Sequence, residues 1–183
     1  MDVTVGDKRF DRYYREIRLA LRLMSHGARA QLASDWSGLT LDRLVTLRQR
    51  WMPDSEAGYR GQSPTSFLPF FRSTHKANHA AMFVGIFRMI GLNTCKPSLE
   101  GGERLCEAYE IYLEWEPEDH LEFDYAVLLA MGAITREEID LSTCEGCAGA
   151  LLLDRLKKAP QLRCARCRTK KKAGPHGSRV STH

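Results

Sequence analysis

No apolar run in this chain is long enough to cross a bilayer: the longest, Ala126 to Ile134, holds nine residues, one of them glycine, where a spanning helix needs about 20. The opening residues Met1-Asp2-Val3-Thr4-Val5-Gly6-Asp7-Lys8-Arg9 lack the apolar core of an export signal. The expected location is therefore the cytoplasm, where structural disulfides are rare. Also missing are an internal repeat, a glycine-rich phosphate loop, and a Ser/His/Asp or Cys/His set in a catalytic context, so no enzyme is expected. Acidic residues are absent from the whole stretch 155–183, which carries ten of the 27 Lys and Arg. The other 17 cations and all 23 carboxylates lie in residues 1–154, so a body of charge −6 precedes a tail of +10.

Cysteine is what the chain does have, six in all, and four of them are ordered: Cys144-x-x-Cys147, sixteen residues, then Cys164-x-x-Cys167. Each pair can place two sulfurs about one ion, and the intervening segment can bring the second pair opposite the first. Two disulfides would need an oxidising compartment, and a redox Cys-x-x-Cys normally works alone at a helix start. A rubredoxin-like iron centre uses the same ligands, but ligand type and spacing favour one structural Zn²⁺ per chain. Four thiolates leave zinc no open position for water or substrate, so the metal should shape the fold and catalyse nothing. Cys95 and Cys106 sit in helix-like surroundings and read as small buried hydrophobes.

The remaining pattern is helical. Phe10, Tyr14, Ile17, Leu21 and Met24 recur at steps of four and three, predicting a helix from Asp7 to about Met24 whose seam packs on the core or on a partner helix. Residues 29–51 read as helix, turn, helix, with a turn from Ala33 to Gly38, Thr40 as cap and a second helix over Leu41 to Trp51 bearing Arg43, Arg48 and Arg50. Pro53 to Pro69, with Gly58 and Gly61, predicts an exposed loop. Ala80, Phe83, Val84, Phe87 and Ile90 mark a core helix ending near Gly91. On that helix His75 and His79 have metal-ligand spacing, but Lys76 stands where a zinc protease needs glutamate. Leu99 to Glu114 is a further helix with a row of glutamates that reads as a solvated face, and Glu122 to Met131 a last short one ending before Gly132. Ile139 to Ser142 and Leu151-Leu152-Leu153 then predict strands flanking the first cysteine pair, a zinc-ribbon-like module. Some thirty residues bury too little surface to fold alone, so metal binding, on the order of 10 kcal/mol, would decide whether the module is structured.

The chain is thus expected to be mainly α, with a helix-turn-helix-like N-terminal half. Its expected divisions are a helical domain 1–138, a zinc-binding module 139–172 and a basic flexible tail 173–183. Cations clustered near a rigid module are the electrostatic footprint of a phosphate-binding surface. Lys157, Lys158, Arg163, Arg166 and Arg168 are the expected contacts to double-stranded DNA. The run Lys170-Lys171-Lys172 can equally be a solvated end.

In this order of parts the chain resembles the FlhC family, the zinc-containing subunits of bacterial flagellar master transcriptional activators. The resemblance is carried by His26-Gly27-Ala28-Arg29 with Leu41 to Leu47, Leu68-Pro69-Phe70, His79-Ala80-Ala81-Met82-Phe83, Ala108-Tyr109-Glu110-Ile111-Tyr112-Leu113-Glu114 and Leu141-Ser142-Thr143-Cys144, across roughly residues 10 to 168. It implies a cytoplasmic heterohexamer with an FlhD-like helical partner, which binds upstream of promoters, recruits RNA polymerase and activates flagellar operons. The four cysteines match the family's zinc ligands. Between Leu68-Pro69-Phe70 and His79 the chain is shorter than the familiar pattern, and Phe71-Arg72-Ser73 replaces a polar, tryptophan-bearing stretch. Such divergence fits relatives on mobile elements that activate conjugative transfer genes. A third expectation, from another class, is a zinc-ribbon adaptor that binds protein and touches no DNA.

Overall fold

The computed structural model describes residues 8–53, 62–91, 96–135, 138–158, 161–164 and 166–168. Expectations for Cys95, Gly58, Gly61, the Lys170-Lys171-Lys172 run and the tail 173–183 fall outside them. Among the described residues the order is α1 (Lys8–Ser25), α2 (Ala30–Ser37), α3 (Leu41–Trp51), α4 (Leu68–Arg72), α5 (Thr74–Met89), α6 (Leu99–Trp115) and α7 (Phe123–Ala130). A π-helical turn (Met131–Thr135) extends α7, and β1 (Ile139–Thr143) and β2 (Ala150–Asp154) close the chain's regular structure. The mainly helical class with a small C-terminal four-cysteine region is what the sequence led us to expect.

Helix α1 carries two interleaved apolar stripes, and of the expected one the core takes only Met24 fully. Leu19, Ala20, Leu23 and Met24 are buried, Ile17 and Leu21 lie at the margin, while Phe10 is 67% and Tyr14 53% exposed. Two ion pairs set the roll of the helix. Arg15 meets Glu103 at 2.7 Å and Arg22 meets Glu110 at 2.5 Å, so α1 and α6 run parallel. The glutamate row of α6 is therefore partly engaged, against the solvated face expected of it. The Arg15–Glu103 pair is screened by solvent and the half-exposed Arg22–Glu110 pair is worth up to about 1 kcal/mol, so they orient the helices that apolar burial holds together.

Helix α2 continues to Ser37, so the turn before α3 is Gly38-Leu39-Thr40, shorter than the expected one. Gly38 has φ 80°, a left-handed conformation that glycine adopts without steric cost. Thr40 stands at the N-cap position of α3, but its side chain makes no capping bond. Real caps lie elsewhere: Ser73 accepts from the Lys76 N–H at 3.4 Å and Ser98 from the Gly101 N–H at 3.0 Å.

Two boundaries differ from expectation for packing reasons. Helix α4 begins inside the predicted loop, because Pro69 fits a first helical turn and Phe70 is buried under it. The α7 helix does not stop at Gly132 but runs through it. A Cβ there would collide with the Phe67 ring, so this glycine serves close packing.

The family-like segments converge inside the body. His26 stacks on Phe123 at 5.6 Å and bonds Glu110 at 2.9 Å, Arg29 reaches Asp124 at 3.3 Å, and His79 bonds the Tyr112 hydroxyl at 2.7 Å. No buried side-chain nitrogen or oxygen among the described residues lacks a partner. These segments build a satisfied buried network, which gives the interior one specific arrangement.

Strands β1 and β2 form an antiparallel hairpin with Leu141 opposite Leu152. Leu152 and Ile139 join the buried cluster of the helices, whereas Leu151 and Leu153 are only half-buried, less than the run of three leucines suggested. Arg88 of α5 bonds Asp140 at 2.6 Å and fastens the hairpin to the body. The hairpin loop, and with it the first cysteine pair, is thereby held at a fixed place.

Candidate metal centre and nucleic-acid face

The hairpin loop must reverse the chain within six residues, and its backbone shows how. The Ala148 N–H donates to the Cys144 carbonyl at 2.8 Å and the Cys144 N–H to the Gly149 carbonyl at 2.8 Å. Closing that loop puts Ala148 at φ 57°, an uncommon place for a residue with a Cβ. The second pair is fastened to the first by the Glu145 N–H, which donates to the Leu162 carbonyl at 2.9 Å. A helical turn closes it, with the Arg168 N–H donating to the Cys164 carbonyl at 3.0 Å.

The four sulfurs of Cys144, Cys147, Cys164 and Cys167 then lie within 4.8 Å of one another, and none is in a disulfide. Cys147 and Cys164 are 3.8 Å apart. Ligands about 2.3 Å from a tetrahedral zinc stand about 3.8 Å from one another, so this edge already has the length the metal requires. The N–H groups of Cys164 and Gly146 point at the Cys144 sulfur, at 3.2 and 3.4 Å. They pull its thiol down to about 6, while hydrogen bonding with Cys164 and Cys147 pushes Cys167 up to about 12. Four sulfurs packed this closely cannot all shed protons without a cation among them, and a divalent metal supplies it. The donor set thus fits a metal ion. Gly146 permits the approach: a Cβ on it would lie 2.9 Å from both the Cβ and the sulfur of Cys167.

Among the described residues the other titratable groups do not converge on an open site. His75 spends its Nε2 on Asp119 and on His79, each at 2.9 Å. The Cys106 thiol is fully buried and pushed up to about 12 by that burial, as suits a small core residue. Among the described residues the four cysteines are the one group that can hold a metal ion.

The five cations expected at the DNA all lie on the cysteine module. Lys157, Lys158, Arg166 and Arg168 are exposed and Arg163 half-buried. Lys157 is 3.3 Å from Asp154 and sits over the Phe71 ring at 5.0 Å, Arg163 is 3.7 Å from Glu145, and Arg168 donates to Gln161. Of the helix-turn-helix cations, Arg43 is turned onto Tyr13, donating to its hydroxyl with the ring centroid 5.3 Å away, Arg48 is half-buried and Arg50 exposed. Helix α3 buries only Leu44 and exposes Leu41, Val45 and Trp51. Sequence reasoning passed over Arg72, which the end of α4 brings opposite the module across a cleft of about 490 Å³. Its one signal was the unusual Phe71-Arg72-Ser73 stretch.

A helical body with one tetrathiol centre and cations displayed around it is the architecture of a metal-stabilised binding protein. Residues 7–179 match the family model described as flagellar transcriptional activator (FlhC). The chain belongs to the FlhC family. It is 30% identical to the flagellar transcriptional regulator FlhC of Paraburkholderia atlantica, over 87% of this chain and 73% of that protein. The regulators of the same name from Proteus mirabilis and Serratia marcescens are 25% and 26% identical, over 92% and 87% of this chain and 86% and 81% of theirs. No described helix is long and apolar enough to cross a membrane.

Proposed function

We propose that this chain is the DNA-binding subunit of a transcriptional activator, that it acts with an FlhD-like partner in a heterohexamer, and that it switches on flagellar operons by recruiting RNA polymerase. The observation that carries the reading is the tetrathiol cluster with Lys157, Lys158, Arg163, Arg166 and Arg168 displayed around it. Cys144, Cys147, Cys164 and Cys167 hold Zn²⁺, and residues 139–172 fold around it as one module on the helical domain 1–138. The metal supplies structure only, neutralising the thiolates and fixing the two knuckles against each other. The five cations then contact phosphates, which sets affinity and position on the duplex, not sequence. No residue has a catalytic role in this reading, and the protein works in the cytoplasm.

The exposed Phe10 and Tyr14 of α1, with Leu41 and Val45 of α3, favour this end of the body as the seat of the helical partner. A chain that stays folded and monomeric when purified alone would count against that seat. Divergence at Phe71-Arg72-Ser73 favours a second reading, a regulator of conjugative transfer genes, and the neighbouring genes decide between the two. The mechanism itself is tested with Cys164→Ser. That variant should lose both metal and DNA affinity, and unchanged promoter binding would refute the role given to the module. An adaptor without DNA contacts would bind no duplex at any salt concentration, whereas phosphate contacts give affinity that falls steeply with salt.

A further inference from the structure

We propose that the cleft between α4–α5 and the cysteine module seats the phosphodiester backbone of duplex DNA, with Arg72 as the contact contributed by the helical body. This rests on the DNA-binding reading above and extends the grip beyond the module.

The cleft holds about 490 Å³ and has walls from two different parts of the fold. From the module come Lys157, Arg163 and Arg168, and from the body comes Arg72. Among the described residues Asp154 is the one carboxylate lining it, so these described side chains carry a net charge of +3. Lys157 and Arg163 each have a carboxylate partner, at 3.3 and 3.7 Å. Arg72 is exposed and has no hydrogen bond or ion pair among the described residues. Arg72 is thus a cleft cation with no carboxylate of its own, and a polyanion laid between the walls would supply the missing counter-charge. The lining mixes apolar side chains such as Phe71 and Leu151 with Thr74 and Asn78, which are exposed and can donate to phosphate oxygens. Helix α5 also begins at this wall, and its positive dipole end adds to the field. A polyanion whose charges repeat along a ridge can engage both walls at once, while a neutral peptide would leave four cations desolvated.

The geometry also explains why metal and grip should be linked. Arg163 lies beside Cys164 and Arg168 beside Cys167 in sequence, so the tetrathiol centre positions one wall of the cleft against the other.

The test uses the full chain co-purified with its FlhD-like subunit, and follows anisotropy of a labelled duplex between about 50 and 200 mM salt, where phosphate contacts dominate the change. Arg72→Gln should lower the slope of log affinity against log salt by about 0.9, one lost contact, and weaken binding to promoter and unrelated duplex alike. Arg72→Lys should keep the slope. Arg104→Gln, which removes an exposed cation on α6, should change neither, with metal content and thermal melting unaltered in all three variants. If the parent protein binds duplex and Arg72→Gln binds it with the same affinity and slope, the cleft is not the seat, although the module's role stands. Binding of no duplex by the parent protein at any salt would sink both proposals. Tripolyphosphate binding that needs Arg72, with duplex binding indifferent to it, would replace DNA by a small anion and likewise overturn the inference.

Discussion

Replacing Gly146 by alanine should weaken metal binding without touching any ligand. A Cβ at that position would sit 2.9 Å from the Cβ and sulfur of Cys167, where carbon contacts are normally about 3.5 Å or more. Cys167 must then retreat by roughly 0.5 Å, yet a zinc–sulfur bond tolerates only about 0.2 Å of displacement. The conflict is overpacking at a rigid site, which costs about 1–3 kcal/mol. At 1.4 kcal/mol per decade this lowers affinity for zinc roughly 5- to 140-fold. The change lies in the knuckle, so the helical far-ultraviolet signal should stay near that of the parent. Competition against a chromophoric chelator reads the affinity directly. A Gly146→Ala protein that keeps zinc as tightly as the parent would refute the close approach of the two knuckles.

The neighbouring Ala148→Gly substitution should act in the opposite direction. At φ 57° the alanine pays a left-handed penalty of about 1–2 kcal/mol, of which glycine's greater unfolded-state freedom cancels about 0.5–1. The variant should resist chelators better than the parent, and a variant easier to strip would contradict the observed turn. Acid stability should depend on Glu110, because the Arg22 guanidinium, seconded by His26, holds its carboxyl below the usual carboxylate range. A depressed folded value contributes stability that is complete above the ordinary value of about 4.3 and is lost as pH falls through the lower folded one. Urea unfolding across that window should show a shallower acid loss in Glu110→Gln, and identical profiles would remove the pair from the account.

Legibility in the sequence followed how local each signal was. The four cysteines could be read because their spacing is itself the coordination pattern, and α3 because Gly38 and Leu41 mark its start within a few residues. Phase was lost on α1, where Phe10-Tyr14-Ile17-Leu21 and Leu19-Leu23 are both valid helical stripes. The choice between them is made by α6, through Arg15–Glu103 and Arg22–Glu110, partners 88 residues apart. Gly132 looked like a helix end, since a packing glycine and a terminating one are the same letter until Phe67 is placed above it. Arg72 went unnoticed for a similar reason. It lies just past the predicted loop, in a stretch given to no element, and only the docking of the hairpin on α5 puts a basic module across from it.

The role given to the metal is tested most directly by removing it. The parent protein is stripped with a chelator, checked by circular dichroism, and titrated with duplex DNA before and after zinc is restored. The helices should persist, duplex affinity should collapse with the metal, and stoichiometric zinc should bring it back. Undiminished affinity in a protein holding neither zinc nor iron would contradict that role.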